Sequence, residues 1–156
     1  MNRPYKSRKN NKSAVVKAME LLTFKPRTEK ELREKLLEKE YTAEETEAAV
    51  EYVKSYGYVN DEAYAENYVS ARSKDKGRAL MRMELRQKGI EESDIEQALE
   101  SIEDDEEQTI LELIIKRAGE AHELDEKEYR RLFGFCARRG FSGGKIHRAL
   151  KEYQNR

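Results

Sequence analysis

Apolar residues return along this chain at the three- and four-residue spacing of helices that bury one face. From Ser13 to Thr23 the apolar positions Val15, Val16, Met19 and Leu22 keep that rhythm, and Pro26 then breaks it. Two pairs follow in which a hydroxyl precedes an acid by three residues, Thr28 with Glu31 and Thr42 with Glu45. Each pair satisfies orphan amides at a helix start reciprocally. The opening segment therefore predicts three helices, with Ser13 capping the first and Gly57 stopping the third.

The third of these helices carries Thr46, Ala49, Val50 and Val53 on one face. The same stripe returns 49 residues later as Ile95, Ala98, Leu99 and Ile102, and 51 residues after that as Ile146, Ala149, Leu150 and Tyr153. Ahead of each stripe lies a matching junction: Lys39-Glu40-Tyr41, Lys88-Gly89-Ile90 and Arg139-Gly140-Phe141. A cation suits the carboxyl end of a helix, glycine accepts the left-handed turn, and the apolar residue packs back on the helix. Further upstream, Leu32 and Leu36, Met81 and Leu85, and Leu132 and Cys136 hold equivalent positions four apart. The leading helices of the later repeats are less regular. Ala63, Tyr64, Asn67, Tyr68 and Ala71 form one apolar-leaning face, with Asn60 as cap, and Ile110, Leu111, Leu113 and Ile114 form another. The acidic run from Glu103 to Glu107 separates the second and third repeats, as a connector or as the charged start of the seventh helix. The fold class that follows is all-α: three tandem three-helix repeats, about nine helices, in an elongated and curved array. The repeats span 13–57, 60–103 and 105–153, behind a basic disordered tail over 1–12.

Composition narrows the function. Charged residues make up 40% of the 156 positions, with two prolines and no tryptophan, which favours helices with solvated outer faces over a sandwich or barrel. The net charge of -1 removes the bulk attraction to nucleic acid of a strongly basic protein, so any basic surface is local. The single cysteine, Cys136, makes no internal disulfide, and no apolar run is long enough to span a membrane, which together point to the cytoplasm. His122 and His147 lack cysteines or acids at metal spacing, and no glycine loop suited to phosphates occurs. A binding protein without cofactor or metal is expected, not an enzyme.

The segment from Tyr56 to Ile90, YGYVNDEAYAENYVSARSKDKGRALMRMELRQKGI, resembles the central signature of the RecX family, regulators of the RecA recombinase. The first repeat, with TEKELREKLLEKEY, and the last, with CARRGFSGGKIHRAL, resemble its flanking repeats. Glu40, where the other repeats have glycine, and the helix over 105–119 depart from the pattern. The resemblance implies a monomer that binds RecA filaments on single-stranded DNA, with no membrane involved. It also implies inhibition of filament extension, ATP hydrolysis and strand exchange, and a place in recombination control, DNA repair and the SOS response.

For the surface that meets such a partner, Arg78, Arg82 and Arg86 fall four apart on the fifth helix and form one basic stripe. Arg72, Lys74 and Lys76 lead into it and Lys88 ends it. Planar guanidinium forks hold carboxylates or phosphates through paired hydrogen bonds. Ion pairing with acids of neighbouring helices is an equally weighted reading of the same arginines. A second cluster, Lys127, Arg130, Arg131, Arg138, Arg139, Lys145 and Arg148, makes the last repeat basic, against acids in the third helices of the first two repeats. From these, Arg72, Lys76, Arg78, Arg82, Arg86, Lys88, Arg138, Arg139, Lys145 and Arg148 are the candidate contacts to RecA or DNA. The tyrosines at 56, 58, 64 and 68 are assigned to core packing rather than to base stacking. Gly143 and Gly144 are expected to weaken the start of the ninth helix. A stand-alone DNA-binding protein built of helix-turn-helix-like modules is the alternative, and the near-zero net charge weighs against it.

Overall fold

A computed structural model of the chain describes residues 12–156, so the tail expected over 1–12 lies, Lys12 apart, outside the described residues. The described residues form nine helices and no strand: α1 (Ala14–Phe24), α2 (Glu29–Glu38), α3 (Ala43–Ser55), α4 (Asp61–Arg72), α5 (Arg78–Gln87), α6 (Glu92–Glu100), α7 (Glu106–Ala118), α8 (Glu126–Arg138) and α9 (Gly143–Gln154). None of these helices is long and apolar enough to cross a membrane.

The helix starts lie where side-chain chemistry puts them. Ser13 accepts from the Val16 amide, both capping boxes close on their Glu31 and Glu45 partners, and the Asn60 side-chain Oδ1 accepts from the Ala63 amide at 3.1 Å. The acidic run divides, with Glu106 and Glu107 forming the first turn of α7 and residues 103–105 the connection. Gly143 and Gly144 occupy the first turn of α9.

The chain gathers into two compact units: the described residues up to Tyr64 together with Lys88–Ile90, and Ala65–Gln87 together with Glu91–Arg156. In the first unit α1 and α2 pack on α3 around Ala18, Leu32, Leu36, Ala49, Val50 and Val53, all fully buried. In the second, α5 packs on α6, and α7 and α8 pack on α9 around Ile110, Leu111, Ile114, Cys136, Ile146 and Leu150. Two expected faces differ. Ile102 falls beyond the end of α6, which stops at Glu100. On α4 the buried residues are Ala65 and Val69, while Asn67 and Ala71 are exposed.

One contact occurs twice at equivalent positions. In the first unit the Thr28 hydroxyl donates to the Lys88 carbonyl at 2.7 Å, and a Cβ on Gly89 would stand 2.6 Å from Cβ of Lys30. In the second, the Gly77 amide donates to the Arg139 carbonyl at 2.7 Å, and a Cβ on Gly140 would stand 2.4 Å from Cβ of Leu80. The start of a middle helix thus rests on the basic-glycine-apolar junction of the following repeat. Gly89 and Gly140 have φ of 82° and 88°, so both the turn and the close approach demand glycine.

Glu40 makes the same left-handed turn with φ of 70°, the only non-glycine among the described residues to do so. It is exposed, so its Cβ has room that the other two junctions lack. What stays is the backbone strain of an L residue in that region. Glu40→Gly is therefore expected to stabilise the fold by about 0.5–1 kcal/mol, the strain relieved less the extra freedom glycine gives the unfolded chain. A higher urea midpoint with unchanged slope is the readout.

Candidate functional site

The α5 stripe exists, and its arginines divide between two kinds of partner. Arg78 turns inward: its guanidinium donates to the carbonyls of Leu99 at 2.7 Å and Ile102 at 3.2 Å and stands 3.4 Å from Glu106. It satisfies carbonyls that the end of α6 leaves open. Arg82 donates to Glu96 at 2.7 Å and Arg86 to Glu92, both acids on α6. Those hydrogen bonds hold the two glutamates below their ordinary titration range. Side-chain exposure rises along the stripe, from 23% at Arg78 through 31% at Arg82 to 54% at Arg86. Arg78→Ala is accordingly expected to cost about 1–3 kcal/mol through stranded carbonyls, whereas Arg86→Ala leaves the urea midpoint where it is.

Around the stripe, Lys74 pairs with Asp105 at 2.8 Å and Lys76 with Glu84 at 2.8 Å. Lys88 stands 3.7 Å from Glu31 and 5.6 Å from the ring centroid of Tyr64. Arg72 is exposed at the end of α4. The Arg82–Glu96 pair has a repeat equivalent in Arg33, which donates to Glu47 at 2.6 Å. In the third repeat the same two positions hold Phe133 and His147, whose rings lie 4.7 Å apart. An ion pair between middle and third helices has become an aromatic contact.

The C-terminal cluster divides. Lys145 pairs with Asp104 at 3.0 Å, Arg148 with Glu107 at 2.5 Å and Arg130 with Glu126 at 2.5 Å. Lys127, Arg131 and Arg138 form no ion pair with any described residue, and Arg139 donates only to the Asp75 carbonyl at 3.2 Å. Arg139 and Arg117 of α7 also lie over the Phe135 ring, 4.6 Å and 4.2 Å from its centroid. Phe135 and Arg117 escaped the sequence reading. The four-residue spacing of Arg131, Phe135 and Arg139 was a usable signal, whereas Arg117 comes from another helix and gave none.

Tyr56 and Tyr58 are not core residues, contrary to the sequence assignment. They are 62% and 54% exposed and cluster with Tyr52, the Tyr52 and Tyr56 rings standing 5.0 Å apart. Tyr58 follows the left-handed Gly57 turn, and Val59 rather than either tyrosine fills the core there. Tyr64 and Tyr68 are half-buried. No group of His, Cys, Asp and Glu suited to a metal occurs among the described residues. Burial pushes the Cys136 thiol up to about 11, so it behaves as a small apolar core residue.

Models of the RecX family match the chain in three successive segments, its first three-helix domain over residues 14–52, its second over 60–99 and its third over 104–150. The regulatory protein RecX of Amycolatopsis mediterranei (strain U-32) is 35% identical over 145 residues, covering 90% of this chain and 83% of that protein. The regulatory protein RecX of Stenotrophomonas maltophilia (strain K279a) is 33% identical, covering 94% and 90%. The crystal structure of RecX from Lactobacillus salivarius superposes with a TM-score of 0.76 at 23% identity, over 92% of this chain and 96% of that one, a likeness of fold. A second crystal structure of regulatory protein RecX gives a TM-score of 0.74 at 26% identity, over 89% and 70%.

Proposed function

The chain belongs to the RecX family of regulatory proteins, and on that premise we propose that it binds RecA filaments assembled on single-stranded DNA and checks their extension. ATP hydrolysis and strand exchange by RecA fall as a consequence, which places the protein in recombination control, DNA repair and the SOS response. The supporting observation is the order and completeness of the match: all three family domains, in sequence, over nearly the whole described chain.

The protein acts by binding, as a monomer in the cytoplasm, and performs no chemistry of its own. The α5 and α8 faces are the surfaces that meet the partner. On α5, Arg82 holds Glu96 at a half-exposed site and Arg86 holds Glu92 at an exposed one, where such pairs contribute little net stability. Exchanging an internal carboxylate for a partner carboxylate or phosphate therefore costs little, and the guanidinium fork suits either. On α8, Arg131 and Arg138 are already open.

RecA filament growth on end-labelled single-stranded DNA, followed by fluorescence with and without this protein, tests the reading. Growth that stops early when the protein is added to short filaments is the expected result. Growth to full length at the normal rate removes the reading.

A further inference from the structure

Three aromatic rings that the core does not use stand together at the end of α3. The Tyr52 and Tyr56 ring centroids are 5.0 Å apart, and Tyr56 and Tyr58 stack at 6.1 Å with 24° between their planes. Between 49% and 62% of each residue meets solvent. The three-helix repeat does not need them. At the positions equivalent to Tyr52 and Tyr56 the second repeat has Ser101 and Asp105, and the third has Glu152 and Arg156. Helix α6 ends at Glu100, the equivalent of Glu51, so the last turn of α3, Tyr52 to Ser55, is additional to what the second repeat builds.

Backbone bonds fix the patch. The Tyr58 amide donates to the Val53 carbonyl and the Gly57 amide to the Lys54 carbonyl, both at 2.9 Å, which closes the left-handed turn. Tyrosines carried on so fixed a backbone have only two side-chain torsions each to lose on meeting a partner. Contiguous exposed rings without a role in the fold mark an interaction surface.

Charge indicates the occupant. At about 100° per residue, Ala48, Tyr52 and Tyr56 lie along one side of α3, and Glu44, Glu47 and Glu51 along the side next to it. All six are exposed. Glu47 holds Arg33 at 2.6 Å, whereas Glu44 and Glu51 form no ion pair with any described residue. The one cation of α3, Lys54, is held by Glu29 at 3.1 Å. Ring faces beside open carboxylates repel phosphate and attract cations. Arginine meets both groups at once, because its plane stacks on a ring while its edge donates to a carboxylate. Lysine brings a point charge without a plane.

We propose that the Tyr52–Tyr56–Tyr58 patch, with Glu44 and Glu51 beside it, docks an arginine-bearing segment of a protein partner. This deepens the reading above, on which it rests for the identity of that partner as RecA, and makes α3 a face that meets protein and not DNA.

The test is fluorescence anisotropy of labelled hexa-arginine and hexa-lysine peptides with the full chain, without RecA or DNA. Wild type is expected to bind the arginine peptide about fivefold more tightly. Tyr52→Ser with Tyr56→Ser is expected to abolish that preference and leave the urea midpoint where it is, since neither ring is buried. Glu44→Gln with Glu51→Gln is expected to weaken binding of both peptides. Equal affinity for the two peptides, a preference that survives the tyrosine substitutions, or binding unchanged by the glutamine substitutions overturns the proposal. The occupant is read with p-benzoylphenylalanine in place of Ala48, one turn before Tyr52, in a mixture with RecA filaments on single-stranded DNA. Where the wild-type protein inhibits RecA, photocrosslinks are expected on RecA. Their absence, or crosslinks to the DNA, to a second copy of this chain or to its own residues 1–12, rules out the assignment. Where the wild-type protein does not inhibit RecA, the filament reading falls and the arginine preference alone decides the α3 surface. Inhibition without that preference keeps the filament reading and removes the surface.

Discussion

Replacing Gly140 with alanine is expected to destabilise the protein by about 3 kcal/mol or more. Two costs combine there. The left-handed φ of 88° is unfavourable for an L residue by about 1–2 kcal/mol. The new methyl would also lie 2.4 Å from Cβ of Leu80 and 2.6 Å from its amide nitrogen, atoms that cannot swing aside. Relieving that overlap means moving the start of α5, which breaks the 2.7 Å bond from the Gly77 amide to the Arg139 carbonyl. Gly57→Ala is the control: it shares the left-handed φ but has nothing within 4 Å of the added Cβ, so it costs only the backbone part. Urea unfolding of the two variants side by side separates strain from overlap. Equal losses would show that the Gly77–Gly140 approach has no energetic weight.

The second large effect concerns inhibition. Arg82→Glu faces Glu96 with a like charge and lowers stability, and adding Glu96→Arg restores an ion pair of reversed polarity. The doubly exchanged protein is expected to regain the wild-type urea midpoint yet inhibit RecA at least tenfold less well, because a partner anion then meets a carboxylate on α5 and not a guanidinium. A purely internal role for the pair predicts recovery of inhibition together with stability. The cycle thus assigns Arg82 to the interface or to the fold.

Most of the architecture was legible in the sequence because it repeats. The stripes beginning at Thr46, Ile95 and Ile146 are buried as their spacing indicates, Ile102 beyond the end of α6 excepted, since branched and long apolar residues contrast sharply with the glutamates around them. On α4 that contrast is missing. Alanine and tyrosine alternate with small polar residues, so two faces look equally apolar, and the chain buries Ala65 and Val69 in place of Asn67 and Ala71. Tyr56 and Tyr58 misled for a related reason: an aromatic ring reads as core until the turn at Gly57 is known to direct it outward. Glu40 looked like a departure from the repeat, and the structure supplies the reason it is allowed. The glycine is demanded by a packed neighbour, and the exposed first junction lacks one.

The candidate site was legible only as composition. Spacing placed Arg78, Arg82 and Arg86 on one face correctly, but which were occupied depended on Glu92, Glu96 and the carbonyls at the end of α6. Likewise nothing in the sequence distinguished Lys145 and Arg148, held by Asp104 and Glu107, from Arg131 and Arg138, which remain open. Pairing across helices distant in sequence decides that, and periodicity is blind to it.

The most direct measurement is the rate of ATP hydrolysis by a cognate RecA on single-stranded DNA as this protein is titrated in at amounts well below RecA. A progressive fall at such ratios is the predicted result, since on the proposed reading a few bound molecules would halt the growth of long filaments. An unchanged rate, even at equal amounts, would contradict the account.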